Sequence, residues 1–193
     1  MGDRVGALAQ GRAATLGTPG HVLRLRIPPD FTPPHAGWAA DLAGALSRQR
    51  FLLLEQCVGL LDCDEPTAAA LTVHVAPLPE TTGTDALEAA IGVAENLSAP
   101  VGHPRAVAVT RLPAGPAAVL EEVVAIVLPG SGSEHPVPVG ISQAHLPWVR
   151  GSAVLVTTLA TPMPRHLPVY TAVLADVLQS MTVTPATDEG GDR

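Results

Sequence analysis

The chain has 193 residues, 47% of them apolar, and a formal charge of −7. At this size folding buries roughly 70% of the unfolded surface, enough for a core without metals or disulfides. Residues 1–50 carry six Arg against three acids and residues 51–193 five Arg against fifteen, with no lysine anywhere. Spaced arginines on an acidic body argue against a nucleic-acid partner, which needs clustered cations.

The only aromatics are Phe31, Phe51, Trp38, Trp148 and Tyr170, so the core must be built from Leu, Val, Ile and Ala. Arginine without lysine, together with abundant Ala, Gly, Pro and Val, is the composition of a GC-rich genome. The two cysteines, Cys57 and Cys63, would stand about 20 Å apart along a single strand, and a disulfide needs Cα atoms within about 7 Å. They fit no CxxC zinc spacing either and read as buried thiols of a reducing compartment. The first twenty residues lack the apolar run of a signal peptide, and no stretch reaches the roughly 18 apolar residues of a membrane span. A cytoplasmic protein with no membrane partner is the expectation.

Residues 1–20 are small and aperiodic and read as a mobile arm; 184–193, TPATDEGGDR, read as a frayed acidic tail. The folded body is expected over 21–183 as one domain. His21 to Ile27 alternates Val22, Arg24 and Arg26 against Leu23, Leu25 and Ile27, the period of a half-buried strand. Pro28 and Pro29 end it, and Phe31 lies in the proline loop that follows. From Trp38, apolar positions through Leu42, Ala45, Leu46 and Leu53 recur at helical spacing. A hairpin of Glu55 to Asp62 with Ala69 to Pro77 comes next, with His74 alone on its second face.

Asp85 followed by Glu88 is a capping-box start for a helix over Ala86 to Leu97 that buries Leu87, Ala90, Ile91, Ala94 and Leu97. Arg105 to Leu112 and Ala117 to Leu128 are strands around a PAGP turn. Adjacent Glu121 and Glu122 must then point to opposite faces, which makes them poor partners in a two-carboxylate site. Val137, Val139 and Ile141 share one face of the next strand. Ala153 to Ala160 is apolar or Thr at every position, the pattern of a strand covered on both faces. Leu167, Tyr170, Leu174, Val177, Leu178 and Met181 then recur at helical spacing, with Pro168 in the first turn. Short connections imply antiparallel neighbours, so the fold class is α+β: an antiparallel sheet of about six to seven strands with helices packed on its faces.

The aliphatic run Val154 to Pro162, with its Thr-Pro step, and the helix from Tyr170 that closes on Val183 resemble the Mog1/PsbP-like fold. The likeness is to its uncharacterised actinobacterial members, which are associated with type VII secretion loci. The resemblance spans about 50 residues in pattern and about 160 in element order. It implies a non-enzymatic binding or assembly factor: such proteins include a small-GTPase-binding protein, a photosystem extrinsic subunit and bacterial lipoproteins. No lipidation cysteine stands near the start here, and the shared features are packing patterns that transfer no catalytic residue.

Motif chemistry is sparse. Neither GxxxxGK[ST], GxGxxG nor HExxH occurs. Gly140-Ile141-Ser142 matches only the opening of a nucleophile elbow, without its second glycine. His135, His145 and His166 fall near the same hairpin, where two could meet, but a third or fourth zinc ligand is not placed. No catalytic residue, metal or cofactor is therefore expected. Two readings remain: an interaction or assembly protein with a protein partner, and a small enzyme or ligand binder with a pocket between sheet and helices. For the first, Trp148 beside Arg150, and Phe31, are candidate partner contacts, since Trp and Arg dominate interface hot spots. Homodimerisation through a sheet edge or helix face suits the same reading. A closed aliphatic sheet–helix interface would count against the second.

Overall fold

The computed structural model describes residues 11–18, 20–33, 51–60, 66–78, 85–127, 135–148 and 153–185. Strands β1 (Arg12–Thr18), β2 (His21–Ile27), β3 (Phe51–Leu60) and β4 (Pro66–Pro77) precede helix α1 (Ala86–Leu97). Strands β5 (Arg105–Leu112), β6 (Gly115–Ile126), β7 (Val137–Trp148) and β8 (Ala153–Thr161) follow in sequence. A 3-10 turn (Pro164–His166), helix α2 (Leu167–Gln179) and strand β9 (Thr182–Pro185) complete the described chain. Six strands form one sheet in the order β3-β4-β8-β7-β6-β5, and three form a second, β1-β2-β9. Every pairing is antiparallel.

The prolines show which way the ladders point. A strand proline has no N–H, so it must sit where the neighbouring strand asks for no donor. Pro116 lies opposite Arg111, Pro138 opposite Ala125 and Pro147 opposite Val154. All three positions are non-hydrogen-bonded pairs under one consistent alternation across β5, β6, β7 and β8. On β5 that alternation turns the N–H and C=O groups of Ala106, Ala108 and Thr110 toward β6. Those of Arg105, Val107, Val109 and Arg111 turn outward.

Side chains divide by the same period of two. One face of the large sheet carries Leu53, Cys57, Ala69, Leu71, Val73, Ala144, Leu146, Leu155 and Leu159, all buried. α2 lays Tyr170, Leu174, Val177 and Leu178 on this face, joined by Met181 and by Leu23, Leu25 and Ile27 of β2 in one core. Gly140 of β7 lies against the start of α2: a Cβ there would lie 3.2 Å from both Leu167 Cβ and the Pro164 backbone. The opposite face receives α1, whose Val93 and Ala94 pack on Ala118. The Asp85 carboxylate caps α1 by accepting from the N–H groups of Leu87 and Glu88 at 2.8 and 2.9 Å, as its spacing to Glu88 implies.

Four expectations differ from the structure. Residues 12–18, assigned to a mobile arm, form β1. The Arg12 guanidinium donates to Glu55, a 3% exposed carboxylate 43 residues away, at 2.6 Å, a partnership no local pattern reveals. Thr184 and Pro185, assigned to the tail, extend β9 against β2. The helix expected from Trp38 lies outside the described residues, except that Leu53, its last proposed position, belongs to β3. Finally, α1 buries Ala89, Ala90, Val93 and Ala94, leaving Leu87 and Ile91 exposed. The helix lies close to the sheet, and small residues permit that approach.

The outward parity of β5 is measurable. Residue-resolved hydrogen exchange should find the amides of Ala106, Ala108 and Thr110 slow and those of Val107, Val109 and Arg111 fast. Uniform protection along β5 would show that its outer edge is paired.

Candidate functional site

Among the described residues the α2 face shows no site for chemistry. Tyr170, Leu174 and Val177 are at most 1% exposed and share a core with Leu71, Leu155 and Leu159, equally buried, so one tyrosine and aliphatic side chains fill the interface. Ser142, the one nucleophile in the Gly-Ile-Ser triplet, is 0% exposed on this face. It lies two residues along β7 from the glycine that seats α2, where no substrate reaches it. Its Oγ has no hydrogen-bond partner. Ser142→Ala should therefore leave stability unchanged or raise it by up to about 1 kcal/mol in urea unfolding. A loss of several kcal/mol would show that the hydroxyl is used. The Cys57 thiol is buried, and burial, followed by the charge of Asp30, pushes it up to about 11, far from a reactive thiolate. Cys63 lies outside the described residues.

The α1 face carries a polar row that chain order conceals. Thr72, Thr158 and Gln143 stand in register across β4, β8 and β7. The Gln143 amide donates to Thr158 Oγ1 at 3.0 Å, and His145 Nε2 lies 3.2 Å from Gln143 Oε1. One step along, His74 and His145 flank Val156 on its two sides, two strand spacings or about 10 Å apart. The hairpin thus brings His145 toward His74 and not toward His135 or His166. His166 instead receives the Arg165 Nε–H at 3.3 Å.

Both row histidines are held neutral. Burial lowers the His74 imidazole. Burial, and then the neighbouring charge of His74, lowers His145 from 6.5 to about 4. Among the described residues no group of three His, Cys, Asp or Glu converges to hold a metal. Two neutral imidazoles, two threonines and an amide could hydrogen-bond a polar ligand.

Because His145 is lowered in the folded state, its contribution to stability is present above pH 6.5 and is lost as pH falls toward 4. The loss should amount to up to about 3 kcal/mol. Denaturant unfolding at steps between pH 7 and 4 should show it, and His145→Gln should flatten that acid limb. Equal acid sensitivity in the variant would place the effect elsewhere.

The exposed surface gathers at the other end of the sheet. α2 packs on β7, β8 and β2, while β5 and β6 extend past it. On the α2 face of β5 the side chains of Ala106, Ala108 and Thr110 are exposed, and on β6 so is Val123 at 43%. Glu121, between them, is the one charge on that apolar strip. On the α1 face Val109 is 38% exposed and Arg111 is exposed. Arg105 is engaged, pairing with Glu122 at 2.8 Å and donating to the Leu97 carbonyl at 2.7 Å. His103 also meets Glu122, at 2.7 Å.

The candidate contacts chosen from sequence sit elsewhere. Phe31 is 4% exposed inside the main core. Trp148 is 8% exposed and stacks on His21 with ring centroids 4.9 Å apart. Arg150 lies outside the described residues. Val109, Arg111 and Val123 were passed over. For Val109 and Arg111 the signal is that RAVAVTRL has no face large enough to be core; Val123 carries none.

Neither a family model nor a curated protein matches the chain. Solved structures similar to it include three at 14–17% identity. The Ran-binding protein Mog1p of Saccharomyces cerevisiae aligns with 89% of this chain and 95% of its own at a TM-score of 0.48. LpqN of Mycobacterium tuberculosis, involved in cell envelope biogenesis, aligns with 91% and 92% at 0.47. A point mutant of protein Mog1 aligns with 89% and 95% at 0.50. At such identity the likeness concerns the fold alone, an α+β architecture of the Mog1/PsbP-like type.

Proposed function

We infer that the protein is a non-catalytic interaction or assembly factor that binds a protein partner through the β5–β6 end of its large sheet. The observation that carries this reading is the mismatch between layers. Core residues cover both faces of β4, β8 and β7, whereas β5 and the outer half of β6 keep apolar side chains in water on the face that α2 leaves open. Val123, Ala106 and Ala108 lie around Glu121 on one open face, and exposed apolar surface rimmed by polar groups marks contact sites. The buried Ser142, the raised Cys57 and the aliphatic α2 interface all favour binding over chemistry.

The resemblance to Mog1/PsbP-like proteins extends the proposal to an actinobacterial, cytoplasmic accessory factor of a type VII secretion system. Neighbouring genes that encode neither secretion components nor their substrates would remove that extension. No described helix is long and apolar enough to cross a membrane. A second reading, a small-ligand binder, is favoured by one observation, the neutral His74–Gln143–His145 row beneath an otherwise apolar face.

Co-purification from the native host separates the two. Val123→Glu places a charge in the strip without touching the core. It should deplete a specific protein partner at least about tenfold while leaving the thermal midpoint unchanged; His145→Gln should deplete none. A partner set unaffected by Val123→Glu, or one lost with His145→Gln alone, would contradict the proposed surface.

A further inference from the structure

Among the described residues β5 is an unpaired edge. Natural edge strands are kept from pairing with foreign strands by proline, lysine, a bulge or a covering element. β5 has no internal proline or lysine, and its register with β6 is continuous over eight residues without a bulge. No described strand pairs with its outer side. The ladder parity leaves the N–H and C=O groups of Arg105, Val107, Val109 and Arg111 pointing outward, the arrangement that accepts an added strand.

The charges select the occupant. Arg105 and Arg111 are the only charged residues of β5, share its α1 face and stand at its two ends, on a chain whose formal charge is −7. A second copy docking through β5 would offer Arg111 another arginine, one already paired with Glu122, and no free carboxylate. An acidic strand would instead meet Arg111, which is exposed and has no ion-pair partner among the described residues.

We propose that β5 binds an extended acidic segment of a partner protein as a seventh strand of the large sheet. An acidic side chain at one end of the segment faces Arg111, and its alternate apolar side chains lie beside Ala106, Ala108 and Val123. The proposal rests on the interaction reading above and names the partner's chemistry.

The probe is the peptide Glu-Val-Thr-Val-Thr-Val-Glu, whose terminal glutamates match the spacing of Arg105 and Arg111 and whose valines fall on the α2 face. NMR titration of the labelled full chain should show saturable binding, with shifts and gained exchange protection at the amides of Val107, Val109 and Arg111. The version with Lys for Glu should bind at least about tenfold more weakly, and Arg111→Glu should reverse that preference. Val109→Pro removes an outward donor without cutting the β5–β6 ladder and should abolish binding; Arg111→Glu carries the test if the proline variant does not fold.

No saturable binding to the wild type, equal binding of both peptides, or perturbation centred elsewhere would overturn the proposal. Concentration-dependent self-association that protects the same amides would also overturn it, giving the edge to a second copy. A host partner lost with Val123→Glu but retained by Val109→Pro and Arg111→Glu would refute strand addition while leaving the broader interaction reading intact.

Discussion

A wide antiparallel sheet has two faces and two edges, and each must be packed, paired or exposed. In this protein the cross-strand register of β4, β8 and β7 decides all of these at once. Because successive side chains alternate, one register places Leu71, Leu155 and Leu159 under α2 and Ala70, Val139 and Ala160 on the other face. A slip of one residue would exchange the two sets and put the His74–Gln143–His145 row into the aliphatic core. The prolines at 116, 138 and 147 guard against such a slip, because each would then fall where a donor is required.

The small sheet depends on that register as well. Leu23, Leu25 and Ile27 of β2 are at most 2% exposed and find their partners in α2 and the inner face of the large sheet. β1 and β9 then pair to either side of β2. The Arg12–Glu55 pair ties β1 back to β3, and removing the arginine would strand a buried carboxylate, a costlier loss than its surface partner suggests. On the α2 face cover is thus concentrated over the middle of the large sheet and runs out at β5, whereas α1 packs over β5 and β6 on the other face. An exposed strand end would be a liability in a protein that only had to fold. It is an asset in one that has to bind.

Much of this was legible in the sequence where the cause is local. The alternation of β2, the apolar run of β8, the Asp85 cap and the periodicity of α2 each reflect chemistry within a few residues, and each element formed where expected. What stayed hidden is non-local. β1 shows only one strongly buried residue, Ala14, and its ion-pair partner lies on another strand. The phase of α1 could not be read because Ala86, Leu87, Ala89, Ala90, Ile91, Val93 and Ala94 surround the helix almost completely. Size then misled: the large side chains face water because small ones suit the close contact. His74 and His145 meet only through β8, and no spacing in the chain encodes that. Trp148 and Phe31, the aromatic candidates for contact, are packed, while the open surface of β5 and β6 is made of Ala, Val, Thr and Arg.

The central claim is that the uncovered β5–β6 end of the large sheet is the working surface. Its most direct test is site-specific photo-crosslinking in intact host cells, with the reactive group placed at Ala108 or Val123 and, for comparison, at Leu87 or Glu95 on α1. The account predicts that one and the same protein is trapped from both sheet positions and not from the helix. Trapping of that protein from the helix positions alone, or equally from all four, would contradict it.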